Sequence, residues 1–153
     1  MKDRHDPMPP SLDRLRRRLS TNPFTIWLGL SLTDVTDGAV AFSCPWRDEF
    51  LGNAGREAIH GGIYAAMIDS AAIYAVIVGL GRMATTIDLR IDFHTKARRG
   101  VFTIVGSPVR IGRTMSTAEA RVLDCEGRLV ASGRGVFMAL QESLESDVDS
   151  GAG

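Results

Sequence analysis

Between Gly61 and Leu80 the chain reads GGIYAAMIDSAAIYAVIVGL. The stretch is about as long as a membrane-spanning helix needs to be, and it contains no Lys or Arg. Asp69 stands near its middle, where a carboxylate costs roughly 2.5–3.5 kcal/mol on insertion scales. Ala outnumbers Leu in it. The reading is therefore a helix from about His60 to Val78, buried by protein on most sides and stopped by Gly79 and Gly81. No membrane partner is expected.

The flanking sequence says what buries this helix. Upstream, Leu30–Val35 and Ala39–Cys44 read as two strands around Asp37-Gly38, a pair suited to the positive φ angles of a tight hairpin turn. Pro45 ends the second, and residues 46–59, WRDEFLGNAGREAI, read as a polar loop. Downstream, Thr85–His94 alternates Ile87, Leu89, Ile91 and Phe93 with Asp88, Arg90, Asp92 and His94, a period of two. Val101–Ile111 follows, with Pro108 predicting an edge or a bulge. Thr114–Leu123 puts Ser116, Ala118, Ala120 and Val122 on one face. Leu129–Met138 does the same with Leu129, Ala131, Gly133, Gly135 and Phe137. The hairpin Asp124–Arg128 joins the last two.

Short connections make the sheet antiparallel, and small residues on its last strands let a thick helix lie close. The fold predicted is α+β, a curved antiparallel sheet wrapped around one long central helix. Residues 1–20 read as a polar leader with a short helix capped by Ser11, residues 21–140 as the domain, and residues 141–153 as an acidic, disordered tail.

The chain has 153 residues, a size for one domain, with 44% apolar residues and 18 basic against 18 acidic side chains. That composition is globular and lacks the basic excess of a dedicated nucleic-acid binder. The zero conceals a local excess. Residues 90–113 hold Arg90, Lys96, Arg98, Arg99, Arg110 and Arg113 against the single acid Asp92, a net of +5. Cys44 and Cys125 form no CxxC or Cys/His cluster, which argues against structural zinc and a disulfide framework. The first 20 residues lack an apolar h-region, and the cytoplasm is the expected compartment.

Chemistry concentrates at His60-Gly61-Gly62 and Asp69-Ser70. A helix start offers free backbone N–H groups and the positive end of the dipole, which can hold a carbonyl oxygen as it gains charge. Gly61 and Gly62 permit close approach of a ligand, or they simply punctuate a loop-to-helix junction. Asp69, in apolar surroundings, is a candidate general base or nucleophile, or a carboxylate bonded to loop backbone or facing solvent on one exposed stripe. Ser70 can orient it or bond its own helix. His60 can cap the helix or bind substrate. Asn53 can donate an amide to a carbonyl or a water, or serve as a turn residue. Lys96, Arg98, Arg99 and Arg113 lie at strand ends, where loops clamp phosphates. Tyr64, Met67, Tyr74 and Phe93 either line a pocket or fill the core.

Taken together, HGGIYAAMIDSAA, the strand TTIDLRIDFHTKARRG and the closing DCEGRLVASGRGVF resemble the hotdog-fold acyl-CoA thioesterases of the phenylacetic-acid-degradation type, over about residues 22–139. The resemblance implies cleavage of an aryl- or medium-chain acyl-coenzyme A into free acid and coenzyme A, without a metal or redox cofactor. Gly61 or Gly62 would polarise the thioester carbonyl, Asp69 would attack or activate water, and Ser70 would orient it. The site would span a homodimer, Asp69 of one chain facing Gly61 of the other, with dimers pairing into tetramers. Lys96, Arg98, Arg99 and Arg113 would meet the coenzyme phosphates. The family places an Asn six residues before the motif His; here that position is Ala54, and Asn53 lies seven before His60. The other readings are a non-catalytic acyl-CoA or acyl-carrier binding protein and a dehydratase of the same fold.

Overall fold

The computed structural model describes residues 10–144. Two short helices, α1 (Leu12–Thr21) and α2 (Pro23–Leu28), lead into β1 (Ser31–Thr36) and β2 (Ala39–Pro45). A pair of short strands follows, β3 (Leu51–Asn53) and β4 (Ala58–Ile59), then the long helix α3 (Gly61–Leu80). The chain closes with β5 (Arg82–Phe93), β6 (Val101–Arg110), β7 (Met115–Leu123) and β8 (Leu129–Ser143). The main sheet has six antiparallel strands in the order β1-β2-β6-β7-β8-β5.

The turn chemistry acts as its residues dictate. Asp37 and Gly38 take φ of 52° and 79°, so both central positions are left-handed, and Thr36 pairs directly with Ala39. Pro108 sits in the interior strand β6, and the ladder with β7 shifts register between Pro108 and Arg110; a bulge is how a sheet accommodates the missing N–H.

The sheet wraps α3, ten of whose residues are buried, including Met67, Ile68, Ala71, Ala72 and Tyr74. Helix and sheet touch backbone to backbone at Gly106 of β6: a Cβ built there would lie 2.1 Å from the carbonyl oxygen of Ala71. The helix passes through Gly79 and ends at Leu80, two residues beyond the expected Val78. Gly81 is the left-handed cap (φ 67°), its N–H donating to the Ile77 carbonyl. This is the hotdog arrangement. By length and composition alone α3 could cross a bilayer; here it is the core of the sheet that encloses it.

Other features differ from expectation, and β5 begins at Arg82, three residues before Thr85. The polar loop 46–59 carries the β3–β4 pair. β5 bulges between Thr86 and Asp88, which brings the Thr86 hydroxyl to α3 and leaves Ile87 54% exposed. β8 runs on to Ser143, which pairs with Arg82, and Leu144 is buried; residues 145–153 of the expected tail and residues 1–9 of the leader lie outside the described residues.

The two sheet edges are treated differently. Arg16 of α1 donates from Nε and Nη2 to the carbonyls of Leu32 and Thr33 on β1, at 3.1 and 3.5 Å, so α1 covers that edge. No element covers the edge at β5 among the described residues.

Candidate functional site

The site is organised at the start of α3. His60 is the N-cap. Its N–H donates to the Phe50 carbonyl at 2.8 Å, and its Nδ1 accepts the Gly62 N–H at 2.9 Å. The cap therefore consumes the Gly62 donor. The Gly61 N–H has no acceptor among the described residues. Of the two glycines, Gly61 holds the free donor at the positive end of a 20-residue helix. The Phe93 ring closes in beside it, Cζ lying 3.0 Å from where a Gly61 Cβ would be.

A cleft of about 550 Å³ opens at this point, lined by Arg56, Ala58, Ile59, Gly61, Tyr64, Phe93, His94, Thr95 and Lys96. Phe93 is 60% exposed and belongs to this cleft, whereas Met67 and Tyr74 are core.

Asp69 is half-buried, less enclosed than its apolar neighbours suggest, because it lies on the face of α3 that the sheet leaves open. Gly62, Ala65, Ala66, Ser70 and Ile73 share that face. Asp69 Oδ1 accepts a 2.7 Å hydrogen bond from Thr86 Oγ1. Sequence reasoning missed Thr86, since the β5 bulge that turns it inward has no signature in the alternation. The Ser70 hydroxyl, half-buried beside Asp69, makes no hydrogen bond among the described residues.

Asp69 and Gly61 stand eight residues apart on one helix, about 12 Å along its axis at 1.5 Å per residue. One chain cannot bring both to a single carbonyl group.

Asn53 is exposed and caps the turn after β3, its Oδ1 accepting the Arg56 N–H at 3.0 Å. The amide nitrogen is the part left for other work.

The four basic residues do not gather into one patch on the chain. Lys96 lines the cleft. Arg98 keeps a loose contact to Glu126 at 3.8 Å. Arg99 is already engaged: it pairs with Asp48 at 2.9 Å and Glu57 at 3.1 Å and lies over the Trp46 ring, holding loop 46–59 against the segment after β5. Arg113 sits at the opposite end of the sheet, its carbonyl accepting from the Arg82 guanidinium at the start of β5. The two turns flank β6, Val101–Arg110, and so lie at its opposite ends. His94, for which spacing offers no partner, has Nε2 2.7 Å from Ser132 Oγ, 38 residues on.

Behind Lys96 and Arg98 stands Asp124, with a side chain of 0% exposure. Burial pushes its carboxyl up, but the Arg98 N–H, the Arg128 side chain and the Arg128 and Glu126 N–H groups outweigh this and hold it at about 2. A carboxyl depressed on folding contributes stability above its unfolded value and loses it as pH falls toward the folded one. Unfolding midpoints in urea are expected to fall between about pH 4 and pH 2, and Asp124→Asn is expected to flatten that decline while lowering stability at pH 7. A wild-type midpoint unchanged down to pH 2 would contradict it.

Among the described residues no three His, Cys, Asp or Glu side chains cluster as metal ligands.

A family model described as the thioesterase superfamily matches residues 57–131, the span from the end of loop 46–59 through α3 to the start of β8. A Halobacterium salinarum protein named "Putative esterase" is 33% identical over 127 residues, covering 76% of this chain and 83% of that protein. A solved structure described as a protein from the thioesterase superfamily superposes with TM-score 0.80 at 34% identity, covering 84% of this chain and 98% of the other. The Escherichia coli PaaI protein from the phenylacetic acid degradation operon superposes with TM-score 0.78 at 18% identity, covering 86% and 94%; that likeness is one of fold.

Proposed function

The chain belongs to the thioesterase superfamily, and we propose that it hydrolyses the thioester of an aryl- or medium-chain acyl-coenzyme A, in the manner of the phenylacetic-acid-degradation type, at a site shared by two copies. The observation that carries this reading is the pairing of an uncommitted Gly61 N–H at a long helix's start with a carboxylate about 12 Å further along that helix. In a symmetric dimer with the helices antiparallel, Asp69 of one copy meets Gly61 of the other. The uncovered β5 edge, with Ile87 and Phe93 exposed at 54% and 60%, supports contact between copies there.

The chemistry follows. The Gly61 N–H polarises the thioester carbonyl and stabilises the oxyanion. Asp69, fixed by Thr86 and flanked by Ser70, either attacks the carbonyl carbon to form a mixed anhydride that water then hydrolyses, or takes a proton from a water that attacks directly. The thiolate of coenzyme A leaves. A thioester is an activated acyl group, so one polarising donor and one base suffice, without a metal or redox group. Lys96, in the cleft, and Arg98 would meet the coenzyme phosphates; Arg99, paired twice, would contribute by shaping the loop, and Arg113 would reach the coenzyme only from another copy.

Release of free thiol from a panel of acyl-coenzyme A substrates tests the reading. Tight binding without release would favour an acyl-CoA binding protein. Thr86→Val is expected to lower kcat about tenfold or more, the range for a hydrogen bond to a charged group, with KM little changed. An unchanged kcat would show that Thr86 does not position Asp69.

A further inference from the structure

The sheet face turned away from α3 carries a Ser–His pair that the reaction at Asp69 does not use. Gly133 of β8 faces Ile68 of α3, so the alternation of the strand turns its neighbours Ser132 and Arg134 outward. His94 follows directly on β5, and its N–H donates to the Val130 carbonyl of β8 at 2.9 Å. That anchor sets the ring beside β8, with Nε2 2.7 Å from Ser132 Oγ. In the tautomer that carries its hydrogen on Nδ1, Nε2 accepts the Ser132 hydroxyl. A hydroxyl in hydrogen-bond reach of an imidazole is the arrangement of a nucleophile with its base. Neither side chain has another partner among the described residues.

The pair opens onto a groove of about 530 Å³, whose lining includes Arg90, Asp92, Glu119, Arg121, Ser132 and Arg134. Strand register puts Asp92 and Arg121 directly opposite Ser132, and Arg90 and Glu119 directly opposite Arg134. Side chains paired in this way share a face, with Cβ atoms about 5 Å apart. Arg90 is paired with Asp92 at 3.4 Å. Arg121 and Arg134 have no ion pair or hydrogen bond among the described residues, so the groove offers two uncommitted guanidinium groups beside a nucleophile. Pairing of two copies along the β5 edge lengthens the sheet and leaves this face open to solvent.

We propose that this groove is a second hydrolytic site, independent of Asp69, which cleaves carboxylic esters whose leaving group carries an anion. Ser132 Oγ bonds to the ester carbonyl carbon while His94 Nε2 takes its proton, and Arg121 holds the oxyanion. The carbon–oxygen bond to the leaving group then breaks, and His94 returns the proton to the departing oxygen. Water, deprotonated by the same imidazole, hydrolyses the acyl-serine, which releases the acid and restores the hydroxyl. Arg134, two residues along β8 and about 7 Å away, holds the anionic group of the leaving alcohol.

The test is made on the Asp69→Ala chain, so that hydrolysis beside α3 does not contribute. A fluorophosphonate is expected to label one serine, found by mass spectrometry in the tryptic peptide Leu129–Arg134, and 4-acetoxybenzoate is expected to be cleaved to acetate and 4-hydroxybenzoate. Ser132→Ala, which deletes one hydroxyl from a half-buried position, is expected to abolish both, and His94→Gln to slow both about 10²-fold or more. Arg134→Gln is expected to raise KM for 4-acetoxybenzoate about tenfold, with no effect on phenyl acetate, which has the same acyl group and no carboxylate. Thermal melts verify that each variant folds. Label or cleavage that survives Ser132→Ala, that keeps its rate in His94→Gln, or that is absent from the Asp69→Ala chain would overturn the inference, and an equal effect of Arg134→Gln on the two esters would overturn the assigned substrate class.

Discussion

Co-purified heterodimers of Asp69→Ala and Gly61→Pro chains are expected to hydrolyse acyl-coenzyme A when neither variant does so alone. Asp69→Ala removes the base, a loss of about 10²–10⁴-fold in kcat. Gly61→Pro is chosen for what it leaves intact. Gly61 is the first residue of α3 and His60 is extended, with φ −63° and ψ 132°. Proline is tolerated at a first helical position, and an extended residue suits the position before it. Phe93, the side chain nearest an added Cβ, is 60% exposed and free to yield. The substitution therefore deletes one N–H and little else, and loss of one such donor costs about 10²–10³ in kcat. In a dimer containing one chain of each kind, one of the two composite sites loses both groups and the other keeps both. Random association makes half the dimers mixed, so about a quarter of wild-type activity returns. Two tags on co-expressed chains isolate the mixed species. A mixed dimer as inactive as its parents would show that Asp69 and Gly61 act within one chain, against the spacing of the helix.

The largest effect on stability is expected at Gly106. A Cβ there would lie 2.1 Å from the Ala71 carbonyl oxygen and 2.5 Å from its carbonyl carbon. Both are helix backbone, which cannot swing away as a side-chain tip can, so α3 and β6 must separate. Overpacking a core costs about 1–3 kcal/mol and occasionally more, and a collision with backbone belongs at the upper end. For a chain of this size each kcal/mol is worth about 2–4 °C, so Gly106→Ala is expected to lower Tm by roughly 10 °C, with a larger fall for Gly106→Val. Gly127→Ala is the contrasting control. Gly127 has φ 75°, and nothing lies within 4 Å of where an added methyl group would stand, so the cost is confined to a strained turn of about 1 kcal/mol. Equal melting temperatures for the two alanine variants would refute the close contact as the cause.

These two sites mark what is legible in a sequence. The Asp37-Gly38 turn could be read because two adjacent residues determine it. The alternation on β7 could be read because burial on one face repeats every second residue, and Ser116, Ala118, Ala120 and Val122 are indeed buried. The importance of Gly106 could not. It is one glycine among 16, and its constraint comes from a helix carbonyl 35 residues away in the chain. Small residues point to close packing on β7 and β8; there Gly133 faces Ile68, but the tightest approach is on β6.

The candidate site divides in the same way. The chain by itself determined an apolar helix of about 20 residues, its start at His60-Gly61-Gly62, a lone carboxylate within it and the strands that enclose it. These are local patterns, fixed by periodicity, capping and turn chemistry. The Gly62-to-His60 bond, two residues apart, is local too, but tertiary structure alone decided that a bulge turns Thr86 onto Asp69 and that Arg99 is consumed by Asp48 and Glu57. Each depends on partners brought together by strand order and register.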